Sequence, residues 1–184
     1  AEYISKVLKR FNMENAKPLS TPLPTYVKLS TCDCPTSDED KEFMSKVPYQ
    51  SAVGSLMYAM VATRPDIAFA VGAVSRFMSN PGKKHWDAVK LILRYLSGTK
   101  DKCLCLGKGD ASIIGYTDSD YAGCVDSRKS TSGYIFQIMG GVIAWRSRLQ
   151  DCVALSTTEA EYVAASEACK EAIWLSRLAS DMGI

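Results

Sequence analysis

Apolar residues set the period along this chain, and the period changes once. From Glu2 to Met13, Ile4, Val7, Leu8 and Phe11 recur at helical spacing with lysines and an arginine opposite, which predicts a short amphipathic helix. Three prolines interrupt KPLSTPLP (17–24), so an extended connector follows. The polar stretch through Asp38-Glu39-Asp40 reads as a solvated loop. Pro48 then opens a helix rich in Ala, Met and Leu. Thr63-Arg64-Pro65-Asp66 breaks it, and a second helix resumes over 67–80. Pro81-Gly82 ends that one, and a third runs over 85–98, with Gly98 placed as a C-cap glycine.

After Thr99 the pattern turns strand-like. KCLCLG (102–107) alternates cysteine and leucine, and SIIGYTD (112–118) reads as a strand. GYIFQIM (133–139) and VIAWRS (142–147) flank Gly140-Gly141, a hairpin signal. DCVALS (151–156) is a further short apolar run, and residues 157–182 form one long helix. The fold class is therefore α+β: a mainly helical first half, then three antiparallel strands and a long helix, with the change near residues 100–101.

Composition adds limits. With 184 residues, 47% hydrophobic and 23% charged, the chain is ordinary globular material for one domain or two small ones. A net charge of +2 argues neither for nor against nucleic acid. Seven cysteines at irregular spacing and a single histidine, His85, do not make a zinc finger, and free thiols in a reducing compartment fit them. No signal peptide or apolar membrane-length run is present, which points to an intracellular protein without membrane partners. The chain starts on Ala1 and stops at Ile184 just after a helical segment, as a piece of something longer would.

Two acids interrupt the first strand signal. Ile114, Tyr116, Asp118 and Asp120 would share one strand face, and an acid on a core-facing strand must be paired, protonated or bound to a metal. At the start of the last helix, Ser156-Thr157-Thr158-Glu159 fits a capping box in which Glu159 reaches back to the Ser156 amide. Glu161 has no such duty, and Ala164 and Ala165 leave room beside it. A first-turn acid also suits the helix dipole. Taken together, a strand acid and a helix-start acid supply hard oxygen ligands for a divalent cation. Basic residues cluster at Lys83, Lys84, Lys90 and Arg94, and again at Arg128-Lys129. Such positions suit phosphate contacts, and they equally suit a solvated helix face.

YTDSDYAGCVDSRKSTSGYIF and VIAWRSRLQDCVALSTTEAEYVAASEACKEAIWL resemble the ribonuclease H region of copia-type retrotransposon Pol polyproteins. KPLSTPL, YQSAVGSLMYAMVATRPDIAFAVGAVSRFMSNP and HWDAVKLILRYLSGT resemble the part just after the reverse transcriptase palm. The resemblance covers nearly the whole chain in order. It implies a thumb- or connection-like helical segment over 1–100 and the N-terminal part of a ribonuclease H-like domain over 101–184. It implies two-Mg²⁺ hydrolysis of RNA in RNA–DNA hybrids, with Asp118 and Glu161 as catalytic metal ligands and Asp120 secondary. The family's third Asp lies on a strand after this helix, beyond Ile184, so this stretch alone is expected to be inactive and its first strand to be an open edge. The implied partners are hybrid nucleic acid and the rest of the polyprotein, in a cytoplasmic particle or the nucleus. A domesticated relic serving as a nucleic-acid-binding or protein-interaction module is the alternative.

Overall fold

The computed structural model describes residues 1–107 and 109–183. The chain divides into two compact units, Ala1–Cys103 and Leu104–Ile184.

The first unit is helical: α1 (Glu2–Arg10), α2 (Asp38–Ser45), α3 (Tyr49–Thr63), α4 (Ala68–Ser75) and α5 (Lys83–Gly98). Its core joins Ile4, Val7 and Leu8 of α1 to Val53 and Leu56 of α3, Val71 and Val74 of α4, and Val89, Ile92, Leu93 and Leu96 of α5. The acidic triplet is not a loop. Ser37 caps α2 by accepting from the Asp40 amide at 3.2 Å, and acids in a first turn complement the helix dipole. Gly98 is the last residue of α5 and not a left-handed cap. A Cβ there would lie 2.8 Å from the Pro18 side chain, so packing against the proline connector is what requires glycine. Helix α4 stops at Ser75, short of the expected 80.

Two buried polar residues organise this unit. Arg64 is 2% exposed. It donates to Asp66 from Nε (2.9 Å) and Nη2 (2.7 Å), and to the carbonyl (3.0 Å) and hydroxyl (2.6 Å) of Thr99. Tyr95 donates its hydroxyl to the same Asp66 at 2.7 Å. The break between α3 and α4 is thereby bolted to the end of α5. His85 is fully buried and stacked on Phe77, with ring centroids 3.9 Å apart. Its Nδ1 accepts from the Gly82 amide at 2.8 Å, and its Nε2 faces the Ser30 carbonyl at 3.1 Å.

Helix α3 is apolar on both sides. Its inner stripe fills the core, while Met57, Tyr58 and Val61 stay exposed, with Tyr58 against Tyr3 of α1 at 4.8 Å between rings.

The second unit holds β1 (Ile114–Ser119), β2 (Thr131–Ile138), β3 (Gly141–Leu149) and α6 (Thr157–Asp181). The sheet is antiparallel in the order β1-β2-β3, so β1 is an edge. Between β2 and β3, Met139 (φ 49°) and Gly140 (φ 74°) are both left-handed, as a two-residue type I′ hairpin requires. Residues 103–107 form no strand despite their alternation, and neither does the short apolar run 151–156. Gly107 donates to the Met139 carbonyl, and Met139 donates to the Asp110 carbonyl. The first run therefore lies against the hairpin without joining a ladder.

Helix α6 packs on β1 and β2. Ala160, Ala164, Ala168 and Leu175 bury one stripe of it, and Ala168 and Leu175 cluster with Tyr134 and Phe136 of β2. Residues paired across an antiparallel ladder share a face. Gly115 and Thr117, opposite Phe136 and Tyr134, thus look toward α6, and Ile114, Tyr116 and Asp118 project from the other face. That face is open: Ile114 and Tyr116 are exposed. The expectation of a core-facing strand carrying Asp118 is corrected accordingly, since apolar content alone cannot tell an edge strand from a buried one.

Candidate metal centre

Asp118 sits one residue before the end of β1, and Glu161 sits in the first turns of α6. The Ser119 backbone N–H lies between them. Asp118 Oδ1 accepts from it at 2.9 Å and Glu161 Oε1 at 3.4 Å. The two oxygens are thus no further apart than those two distances combined. Both side chains are exposed, so a cation could reach them. The donor set is hard oxygen in an open position, which fits one divalent cation of the magnesium type that keeps most of its waters. Among the described residues no group of three or more acids, histidines or cysteines could hold a metal. Two carboxylates alone do not make a complete two-metal centre.

Asp120 does something else. Strand β1 ends before it, and its Oδ1 accepts from the Thr131 amide at 2.5 Å. Its other oxygen covers Gly123, where a Cβ would lie 2.0 Å away. This closes the 120–131 loop and commits the carboxylate to backbone. Glu159 also departs from its expected partner. Ser156 Oγ accepts from the Glu159 amide at 3.1 Å, but Glu159 Oε2 takes the Leu155 amide at 2.7 Å and not that of Ser156.

Sequence reasoning missed the residue behind the pair. Gln150, just past β3, is 1% exposed. Its Nε2 donates to Ser132 Oγ on β2 and to the Ala160 carbonyl in α6, both at 2.9 Å, and its own amide donates to Ser130 at 2.8 Å. Nothing in the local hydrophobic pattern marks it.

The basic positions are largely engaged. Lys83 pairs with Asp40 at 2.6 Å and lies 5.1 Å from the centre of the Phe43 ring. Lys84 pairs with Asp33 and Lys90 with Asp87. Arg94 Nε donates to the Lys17 carbonyl at 2.8 Å. Three lysines of α5 are thus paired with acids, while Arg94 is held by a backbone carbonyl. In the second unit Lys129 donates to the Asp151 carbonyl at 2.7 Å, while Arg128 is exposed in a left-handed turn (φ 57°).

No protein-family model and no solved structure matches the chain. Curated relatives do. The chain is 63% identical over 183 residues to the retrovirus-related Pol polyprotein from transposon TNT 1-94 of Nicotiana tabacum, covering 100% of this chain and 14% of that protein. It is 39% identical over 183 residues to the Pol polyprotein from transposon RE2 of Arabidopsis thaliana, covering 99% of this chain and 12% of that one. It is also 55% identical over 133 residues to the secreted RxLR effector protein 161 of Plasmopara viticola, covering 72% of this chain and 94% of that protein. Two of these relatives are retrotransposon polyproteins, as the motifs implied. Over nearly its whole length the chain is similar to retrovirus-related Pol polyproteins from transposons, and it spans about one-seventh or less of the length of the two Pol relatives.

Proposed function

We propose that this chain is the region of a Pol polyprotein joining reverse transcriptase to ribonuclease H, and that its second unit supplies two ligands of a centre hydrolysing RNA in RNA–DNA hybrids. The convergence of Asp118 and Glu161 on the Ser119 amide carries this reading. Asp118 is fixed by a strand and Glu161 by a helix start, so both carboxylates are placed before any cation arrives. Magnesium bound there supplies charge neutralisation at the scissile phosphate and a polarised water. The chain's own residues hold the cation and orient it against phosphate, with Arg128 as an exposed cationic side chain of the same unit. Further acids come from elsewhere in the polyprotein.

Two observations support a role within a larger assembly. The β1 edge is unpaired, and beside it an open groove of about 640 Å³ runs between β1 and the small residues Ala165, Ala168, Ala172 and Ser176 of α6. Met57 and Val61 of α3, flanking the Tyr58–Tyr3 contact, form a second exposed apolar face, and a helix apolar on both sides is ordinarily buried. The rest of the polyprotein is the partner in this reading, and an intracellular particle its place.

A stand-alone binding or interaction module is the second reading. The secreted effector favours it, since this stretch covers nearly all of that protein.

Titration of the chain with Mn²⁺ as a magnesium probe, alongside incubation with labelled hybrid, tests the first reading. One cation bound at Asp118 and Glu161, without cleavage, is the expected result. Binding that survives Asp118→Asn and Glu161→Gln together would overturn it.

A further inference from the structure

Glu161 lies one residue after the backbone carbonyl that Gln150 holds. We infer that Gln150 is the positioning residue for the Asp118–Glu161 pair, which deepens the metal-centre reading above. Its amide spans three elements: the end of β3, which carries it, the start of β2 through Ser132 Oγ, and the first turn of α6 through the Ala160 carbonyl. Ser132 is paired in register with Ser119, the residue whose amide receives both carboxylates. One side chain thereby ties the helix start that aims Glu161 to the strand pair that aims Asp118.

The bond is specific to an amide at this place. A carbonyl acceptor at Ala160 and a hydroxyl at Ser132 both need a donor, and Nε2 has two hydrogens for them. Reversing the amide would set Oε1 against the Ala160 carbonyl. A first-turn carbonyl of an α-helix is ordinarily satisfied within the helix by the residue four on, so an extra donor adds a tether and not a replacement. The network also carries a cost. Gln150 Oε1 and Ser119 Oγ are buried side-chain atoms with no hydrogen-bond partner among the described residues. Leaving a buried acceptor unmet is unfavourable, and an apolar residue of similar volume would avoid it.

Gln150 does not touch the cation in this arrangement; it acts through Ala160 and α6. Outer positions of this kind alter metal affinity about 10–100-fold.

The test uses the full chain and amide NMR. In the parent, Glu161→Gln moves the Ser119 amide resonance, because that carboxylate accepts from it. In a Gln150→Met background that stays folded, as judged by resonance dispersion, Glu161→Gln leaves the Ser119 resonance nearly unmoved. Mn²⁺ affinity in Gln150→Met falls at least about tenfold. Gln150→Asn, too short to span both partners, gives the same pattern if the methionine variant is unstable. An undiminished Ser119 response in either folded variant overturns the proposal, as does a parent Ser119 amide blind to Glu161. If neither variant folds, Gln150 is a core residue and the positioning role is rejected. A parent that binds no Mn²⁺ yet shows the Ser119 coupling would defeat the metal reading while leaving Gln150 its role.

Discussion

Asp118 and Glu161 each present a carboxylate oxygen to the Ser119 N–H, at 2.9 and 3.4 Å, one from a strand end and the other from a helix start. An arrangement held by a single shared amide leaves the outer oxygen lone pairs free for a cation. Asp118→Asn and Glu161→Gln should each weaken Mn²⁺ binding about tenfold or more, as loss of one of two charged ligands requires. Both side chains are exposed, so thermal stability should move by no more than about 1 kcal/mol. Calorimetric titration beside a thermal melt checks this. Unchanged affinity in both variants would remove the centre.

Glu159 provides the contrast. It lies two residues before Glu161 but accepts from the Leu155 amide, so its work is done at the helix entry. Glu159→Gln should leave Mn²⁺ affinity within about twofold while lowering stability by about 0.5–1 kcal/mol, the range of a first-turn acid or cap. A large affinity loss here would mean that the wrong acid of the pair has been assigned.

Asp118 and Glu161 were marked by the motif resemblance and by their places at a strand end and a helix start, and both accept from the Ser119 amide; the strand period itself put Asp118 on the wrong face. The role of Asp120 was not legible, because the alternation rule assumes the strand continues, and β1 stops at Ser119. The three acids at 38–40 read as solvation, since polarity hides a helix whose signal is its Ser37 cap. Cys103–Gly107 alternates like a strand but pairs with nothing regular, because alternation supplies a face and not a neighbour. Lys83, Lys84 and Lys90 looked like a cationic face because their acids are partly remote in sequence: Asp33 and Asp40 come from the loop and α2. Gln150 and Arg64 were invisible for the same reason. A buried polar residue is defined by partners that only the fold brings to it.

Arg64 and Asp66 predict a pH dependence. Burial raises the Asp66 carboxyl, but the Arg64 guanidinium and the Tyr95 hydroxyl outweigh it and hold the group below its ordinary value. A carboxyl lowered in the folded state contributes stability that is present above its unfolded pKa, near 4, and is lost as pH falls through the lower folded value. Asp66→Asn should therefore flatten the acid side of the stability curve of the first unit. It should also cost about 2 kcal/mol at neutral pH, less than a fully buried pair because the Asp66 side chain is 36% exposed. Urea unfolding followed at α5 amides across pH 3–7 is the measurement. An unaltered acid slope would mean that the pair is not the titrating element.

His85 should prove a structural histidine. Its Nδ1 takes the Gly82 amide and its Nε2 faces the Ser30 carbonyl. An acceptor at Nδ1 places the proton on Nε2, which can then donate to Ser30. The ring thus staples the start of α5 to the segment before α2 while filling the space against Phe77. His85→Ala removes both bonds and leaves a cavity, so the first unit should lose about 3 kcal/mol or more. His85→Asn keeps an acceptor near Gly82 but is too short for Ser30, and should lose about half as much. The second unit's Mn²⁺ affinity should be unaffected by either, because the proposed ligands Asp118 and Glu161 lie in the second unit. Urea titration read at resolved amides in each unit separates these effects. Equal losses for Asn and Ala would show that packing against Phe77, and not the Gly82 bond, is what His85 provides.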